Sequence, residues 1–137
     1  MSYRFDFYFR SGLSRYLSRH RQVYVVQHAA MVRYRRSIDF LSPYRLHTRL
    51  VWYDDRSLYF EQRFVTLSDG FVRAVALCKN TAVNCDVPRM VRESFGFERP
   101  SECPALVRSF VEFERESSER LRAEAVAAET LREKKVA

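Results

Sequence analysis

Residues 45–79 read RLHTRLVWYDDRSLYFEQRFVTLSDGFVRAVALCK. Short apolar runs, broken by Asp-Asp-Arg and by Ser-Asp-Gly, predict three antiparallel strands: Arg45–Tyr53, Ser57–Leu67 and Phe71–Lys79. Side chains alternate along a strand, so one face collects Leu46, Leu50, Trp52, Leu58, Phe60, Phe64, Val72, Ala74, Ala76 and Cys78. The other collects Arg45, His47, Arg49, Glu61, Arg63 and Arg73, mixed with Tyr59 and Val75. A sheet packed on one side and wet on the other has this pattern. A one-residue slip would invert a strand. The apolar faces therefore match only if each loop has an odd residue count, which predicts three-residue loops at 54–56 and 68–70, the second with Gly70 left-handed. A face of this size needs a covering helix, and Ala74 and Ala76 leave room for one to approach.

The flanking sequence supplies that helix. Tyr3 to Ser18 carries Phe5, Tyr8, Phe9, Gly12, Leu13, Tyr16 and Leu17 at three-and-four spacing. Gly12 in this stripe suits a close backbone contact with Ala74 or Ala76. Ser2 is the only residue before the run suited to cap it, so the chain is expected to begin partway through a domain. Val23 to Ile38 reads as a long bent strand, indifferent at Gln27–Ala30, and Ser42-Pro43 turns the chain into the meander. Asn80–Asn84 extends the third strand as an edge, and Val87–Phe95 forms a short helix. Residues 100–104 are a linker with Ser101 as a cap. Ala105–Lys134 is helical, with Leu106, Val107, Phe110, Val111 and Phe113 packed, a Glu116–Arg120 pair outside, and a tail that frays after Ala128. The whole is α+β, one domain over 1–99 with a helical extension at 100–137 packed on it.

The 137 residues are 47% hydrophobic, with only three Gly and four Pro, which excludes a low-complexity chain. The three cysteines match neither paired metal spacing nor a redox dipeptide, so unpaired thiols in a reducing compartment are expected. No apolar run is long enough to span a membrane. Any membrane association is expected to come through a segment not present here, with a cytoplasmic location as the alternative. The net charge of +7 is uneven: +8 over residues 1–50, zero over 51–100 and −1 over 101–137. A basic half suits an anionic partner.

Candidate site residues are few. His28 could serve as a general base, but it has no nucleophile or carboxylate beside it in sequence and reads as an ordinary strand histidine. His20 follows the helix as a partner for its C-terminal end, and His47 is expected to be exposed. Asp54, Asp55 and Asp69 are turn residues. Gln62 interrupts an apolar face and needs a partner there. It is either a satisfied core amide or a polar contact for a thioester carbonyl. Arg33, Arg35 and Arg36 can grip phosphates, or meet single-stranded RNA with Tyr34 interleaved. They can equally be a solvated face. No Gly-rich phosphate loop or nucleic-acid module is present.

An aromatic helix, a bent strand and this meander resemble the hotdog fold. Arg33-Tyr34-Arg35-Arg36, Ser42-Pro43-Tyr44, Thr48-Arg49-Leu50, Trp52-Tyr53-Asp54-Asp55-Arg56 and Thr66-Leu67-Ser68-Asp69-Gly70-Phe71-Val72 together resemble acyl-CoA-thioesterase-like proteins of the thioesterase superfamily member six type. The resemblance implies a helix wrapped by a curved antiparallel sheet, paired subunits, and an acyl-CoA site at their interface. Its functional signature, an Asp-rich strand followed by His, paired Asn and Tyr before the helix, has no match here, and no catalytic residue is carried over. The expectation is an incomplete hotdog domain, a truncated product or a degenerate relative, inactive as a hydrolase. It would need no cofactor or metal. It is expected to form a homodimer, to accept acyl-CoA or another acyl thioester through Gln62, Arg33 and Arg35, and not to bind nucleic acid. The rival readings are a basic nucleic-acid-binding module and a non-catalytic dimerising scaffold. The homodimer is suggested by Val51, Val65, Val75 and Leu77, which mix with charge on the wet face.

Overall fold

The computed structural model describes residues 13–137. The elements run α1 (Leu13–Arg19), β1 (Tyr24–Tyr34), β2 (Tyr44–Tyr53), β3 (Ser57–Thr66), β4 (Val72–Val83), α2 (Val87–Ser94) and α3 (Ala105–Val136). The chain divides after Glu102 into two compact units. The first holds one antiparallel sheet in the order β1-β4-β3-β2. The predicted meander is its β2-β3-β4 part, and β1 returns to pair with β4. Asn80 to Val83 therefore lies inside the sheet: Asn80 is paired with Gln27 on one side and Leu58 on the other. It is not the edge that the weakening β pattern suggested, because the long connection from β1 supplies a neighbour invisible to local sequence.

Among the described residues the apolar face of the sheet is covered at its Leu50–Leu58–Phe60–Ala82 end, and a helix contact at Ala74 or Ala76 lies outside what they describe. Leu13 and Tyr16 of α1 pack with Leu50, Leu58, Phe60 and Ala82 of the sheet and with Val87, Met90 and Val91 of α2. Burying each large side chain fully contributes about 1.5–3 kcal/mol. The aromatic helix predicted from Tyr3 is seen from Leu13 onward. Phe5, Tyr8, Phe9 and the Gly12 contact lie outside the described residues. Helix α2 forms because Asp86 caps it, accepting the Arg89 amide at 3.2 Å, with Pro88 in its first turn. Its positions 87, 90 and 91 bring one stripe to the core, and the chain turns away beyond its end at Gly96, φ +57°.

Both hairpin turns differ from the predicted loops while keeping the predicted register. Leu50 pairs with Phe60 and Leu46 with Phe64, the alignment of a three-residue loop. Yet the turn itself is tighter. Asp54 N–H donates to Ser57 C=O at 3.0 Å, leaving Asp55-Arg56 as a two-residue connection. The odd residue is Val51, bulged between the Leu50 and Trp52 pairs. At the other turn Thr66 N–H donates to Phe71 C=O and Gly70 N–H to Thr66 C=O, which makes Leu67–Gly70 a four-residue loop. Here the odd residue is Arg73, because Phe64 pairs with Ala74 but Val65 with Val72. Gly70 is left-handed as expected, φ +69°. Asp54 makes the first turn possible without glycine, since its carboxylate accepts the Arg56 and Ser57 amides at 2.9 and 2.8 Å.

The bulges correct three assignments of facing. Trp52 comes into register with Tyr59, and it is Tyr53, opposite Leu58, that packs against the core. Val72 joins Val65 along the charged face. Arg73 leaves that face to donate to Thr66 Oγ1 at 3.1 Å. A third bulge, at His28, lies between the Gln27 and Ala29 pairs, within the stretch where the strand was expected to bend.

The second unit is α3. It begins at Pro104, which has no side-chain cap, so Ser101 does not serve. Val107 and Phe110 are buried, whereas Leu106, Val111 and Phe113 are exposed. Arg120 pairs with Glu124, not Glu116, and Arg115 pairs with both Glu112 and Glu119. The helix continues to Val136, past the predicted end at Lys134.

Candidate functional site

Sheet register places Gln62 in a cross-strand row with Val32, Ala76 and Thr48. The rows on either side are Tyr34–Ala74–Phe64–Leu46 and Ala30–Cys78–Phe60–Leu50. Gln62 is thus a polar side chain within an apolar face, 6% exposed. Its Oε1 accepts from the Cys78 thiol at 3.7 Å, a weak donor. An amide oxygen held this loosely can exchange its partner, and the amide N–H₂ is a donor of the kind a carbonyl oxygen accepts.

Beyond Ala74 the same face ends in a cleft of about 500 Å³ lined by Tyr34, Arg35, Arg36, Ser37, Ile38 and Ala74. Its basic side, Arg35 and Arg36, stands against the β3–β4 turn through Phe71. Asp69 Oδ1 accepts from Thr66 Oγ1 at 2.5 Å and from the Phe71 amide at 3.0 Å, and Asp69 Oδ2 accepts from Arg73 Nη2 at 2.8 Å. These bonds, that from Thr66 foremost, hold the Asp69 carboxyl below its ordinary pKa. They also fix Phe71. Three guanidiniums stand over its ring, Arg35 at 4.7 Å, Arg36 at 4.6 Å and Arg73 at 5.1 Å from the centroid. Each such contact is worth about 0.5–1 kcal/mol at an exposed site. The Arg35 and Arg36 amides both donate to Arg73 C=O, and Arg35 Nη1 donates to Val72 C=O at 3.1 Å.

The sequence-predicted residues therefore separate. Gln62 shares its sheet face with the cleft that Arg35 lines. Arg33 falls on the other face, in a row with Val75, Arg63 and His47. There Glu61 accepts from Arg49 at 3.2 Å and Arg63 at 2.7 Å, beside a cleft of about 430 Å³. Of the histidines, His28 and His47 are exposed, and His20 Nδ1 lies 3.0 Å from Tyr16 C=O at the end of α1. Asp54 is occupied by its turn and by the Tyr59 hydroxyl. Phe71 and Arg73 were read only as strand residues. Nothing local marks them, because their approach to Arg35 and Arg36 depends on the β1–β4 pairing.

A helix packed on one face of an antiparallel sheet in this order is the architecture of a hotdog-fold domain. The chain belongs to the thioesterase-like superfamily, whose family model matches residues 1–123. It is 48% identical over 89 residues to Protein THEM6 of Drosophila melanogaster, covering 65% of this chain and 46% of that protein. Against Protein THEM6 of Danio rerio it is 39% identical over 99 residues, covering 70% and 48%. The chain spans about half the length of these relatives. Among solved structures it resembles the gentisyl-coenzyme A thioesterase BH1999, at 20% identity and a TM-score of 0.55, over 67% of this chain and 74% of that one. It also resembles the Staphylococcus aureus protein SAV2348, solved in complex with CoA, at 11% identity and a TM-score of 0.55, over 74% and 70%. At such identities the likeness concerns the fold. No helix among the described residues is long and apolar enough to cross a membrane.

Proposed function

We propose that this domain binds acyl-coenzyme A, with the thioester carbonyl accepting from the Gln62 amide and the nucleotide end toward Arg35. The observation that carries this reading is Gln62 itself, a buried amide on an apolar sheet face whose oxygen, among the described residues, accepts from the Cys78 thiol at 3.7 Å. Apolar pockets with few placed polar groups are the usual form of small-molecule sites. A neutral amide can orient and polarise a thioester, but it is neither base nor nucleophile. The role supported for these residues is therefore binding rather than hydrolysis. The proposed assembly is a homodimer: β1 is the outermost strand beside β4 and exposes Tyr24, Val26, Met31, Val32 and Tyr34. Sedimentation at micromolar concentration should give twice the mass of one chain, and a monomer refutes it.

The test of the site is Gln62→Leu, nearly isosteric. Calorimetric titration with a medium-chain acyl-CoA should show affinity reduced about tenfold, the loss of one or more kcal/mol expected for a buried hydrogen bond, with thermal stability nearly unchanged. Unchanged affinity refutes the role of Gln62. Thiol release from acyl-CoA by the unmodified chain refutes the non-hydrolytic reading.

A further inference from the structure

The arginine cluster on Phe71 has a feature that a general basic surface lacks. Its members are held in place by the β3–β4 turn and by the β1–β4 pairing. The Asp69–Thr66 pair fixes Arg73, whose side chain is 15% exposed, and the Arg73 carbonyl gathers the amides of Arg35 and Arg36. Three like charges around one ring are opposed among the described residues by a single carboxylate, Asp69. The excess is two positive charges. A phosphomonoester carries close to two negative charges and three acceptor oxygens, whereas each phosphate of a diphosphate bridge carries about one. Guanidiniums present paired N–H groups suited to such oxygens. The adjoining cleft offers the Tyr34 ring, 80% exposed, and Ile38, a surface suited to a planar base.

We infer that Arg35, Arg36 and Arg73 form a phosphomonoester subsite that takes the 3′-phosphate of the coenzyme A nucleotide, with the adenine along Tyr34. This rests on the acyl-coenzyme A reading above and extends it from the thioester to the far end of the ligand. The same phosphomonoester chemistry occurs in phosphatidic acid, and the experiment separates the two sources.

Calorimetric titration compares coenzyme A, dephospho-coenzyme A, adenosine 3′,5′-bisphosphate and an acyl-pantetheine. Coenzyme A should bind at least tenfold tighter than dephospho-coenzyme A, with an advantage that shrinks as salt rises. Arg36→Gln should abolish that advantage and leave dephospho-coenzyme A binding unchanged. Arg36 is exposed and gives up only its contact with the Phe71 ring, so the variant should stay folded with a melting temperature lowered by no more than a few degrees. Arg33→Gln, on the other face of β1, should preserve the advantage. Equal binding of the two coenzymes, or an advantage that survives Arg36→Gln, overturns the inference. Acyl-pantetheine binding without phosphate discrimination leaves the thioester reading standing alone. Bisphosphate binding without acyl-pantetheine binding supports the phosphate subsite and removes the thioester reading. Stronger competition from phosphatidic acid vesicles than from the bisphosphate overturns the nucleotide assignment.

Discussion

Replacing Gly70 isolates the energetic cost of the turn that holds Phe71 among the arginines. Gly70 has φ +69°, and a Cβ built there meets nothing within 4 Å. A side chain at this position therefore encounters no neighbour, and the cost of Gly70→Ala is purely that of a left-handed L-residue, about 1–2 kcal/mol. Part of this is offset because alanine reduces the freedom of the unfolded chain by about 0.4–1 kcal/mol. The net destabilisation should be close to ~1 kcal/mol, or a fall of about 4–8 °C in melting temperature for a domain near 100 residues. Gly70→Asn should cost less, since asparagine tolerates the left-handed region. Thermal unfolding followed by circular dichroism measures both. The reasoning is refuted if the alanine variant melts at or above the unmodified chain, or if asparagine costs as much as alanine.

Other substitutions test the core, the cap and the turn. Leu58, fully buried, should lose about 2.7–5 kcal/mol on change to alanine, whereas Leu121→Ala, 62% exposed on α3, should stay within about 0.5 kcal/mol; denaturant unfolding gives both values. Asp86→Ala removes the cap of α2 and should cost about 1 kcal/mol by the same measurement. The Asp69 carboxyl titrates below its ordinary value of 3.8, so the stability it lends is present above that pH and lost as pH falls through the lower folded value. The Phe71 amide resonance should therefore move with a midpoint below 3.8, and a midpoint at or above it contradicts the bonding described.

Much of the fold was legible because alternation and turn chemistry are local. Leu46, Leu50, Leu58, Phe60 and Phe64 align across β2 and β3 as their spacing requires, and the helix expected over Val87–Phe95 forms over Val87–Ser94. Parity fixed the register but not the way it is met. An odd offset can come from an odd loop or from an even loop with one bulged residue, and periodicity alone does not distinguish them. Both hairpins use the second device. For that reason Trp52, Val72 and Arg73, each at or beside a bulge, were assigned to the wrong face, while residues further along each strand were placed correctly.

The same distinction explains what was readable of the candidate site. Gln62 stands out because a polar residue breaks an apolar alternation, a signal contained within one strand. Arg35 stands out through the Arg33-Tyr34-Arg35-Arg36 run. Arg73 and Phe71 carry no such mark, and their role follows from two events remote from one another in sequence. Strand β1 returns to β4, which brings residues 35 and 36 to the carbonyl of residue 73. The bulge at Arg73 then turns its guanidinium from the charged face toward Thr66 and Asp69. Without that bulge alternation would leave Arg73 in line with Arg63, and Phe71 would have two arginines beside it rather than three. The bulge that spoils a prediction of facing is thus the feature that completes the arginine cluster on Phe71.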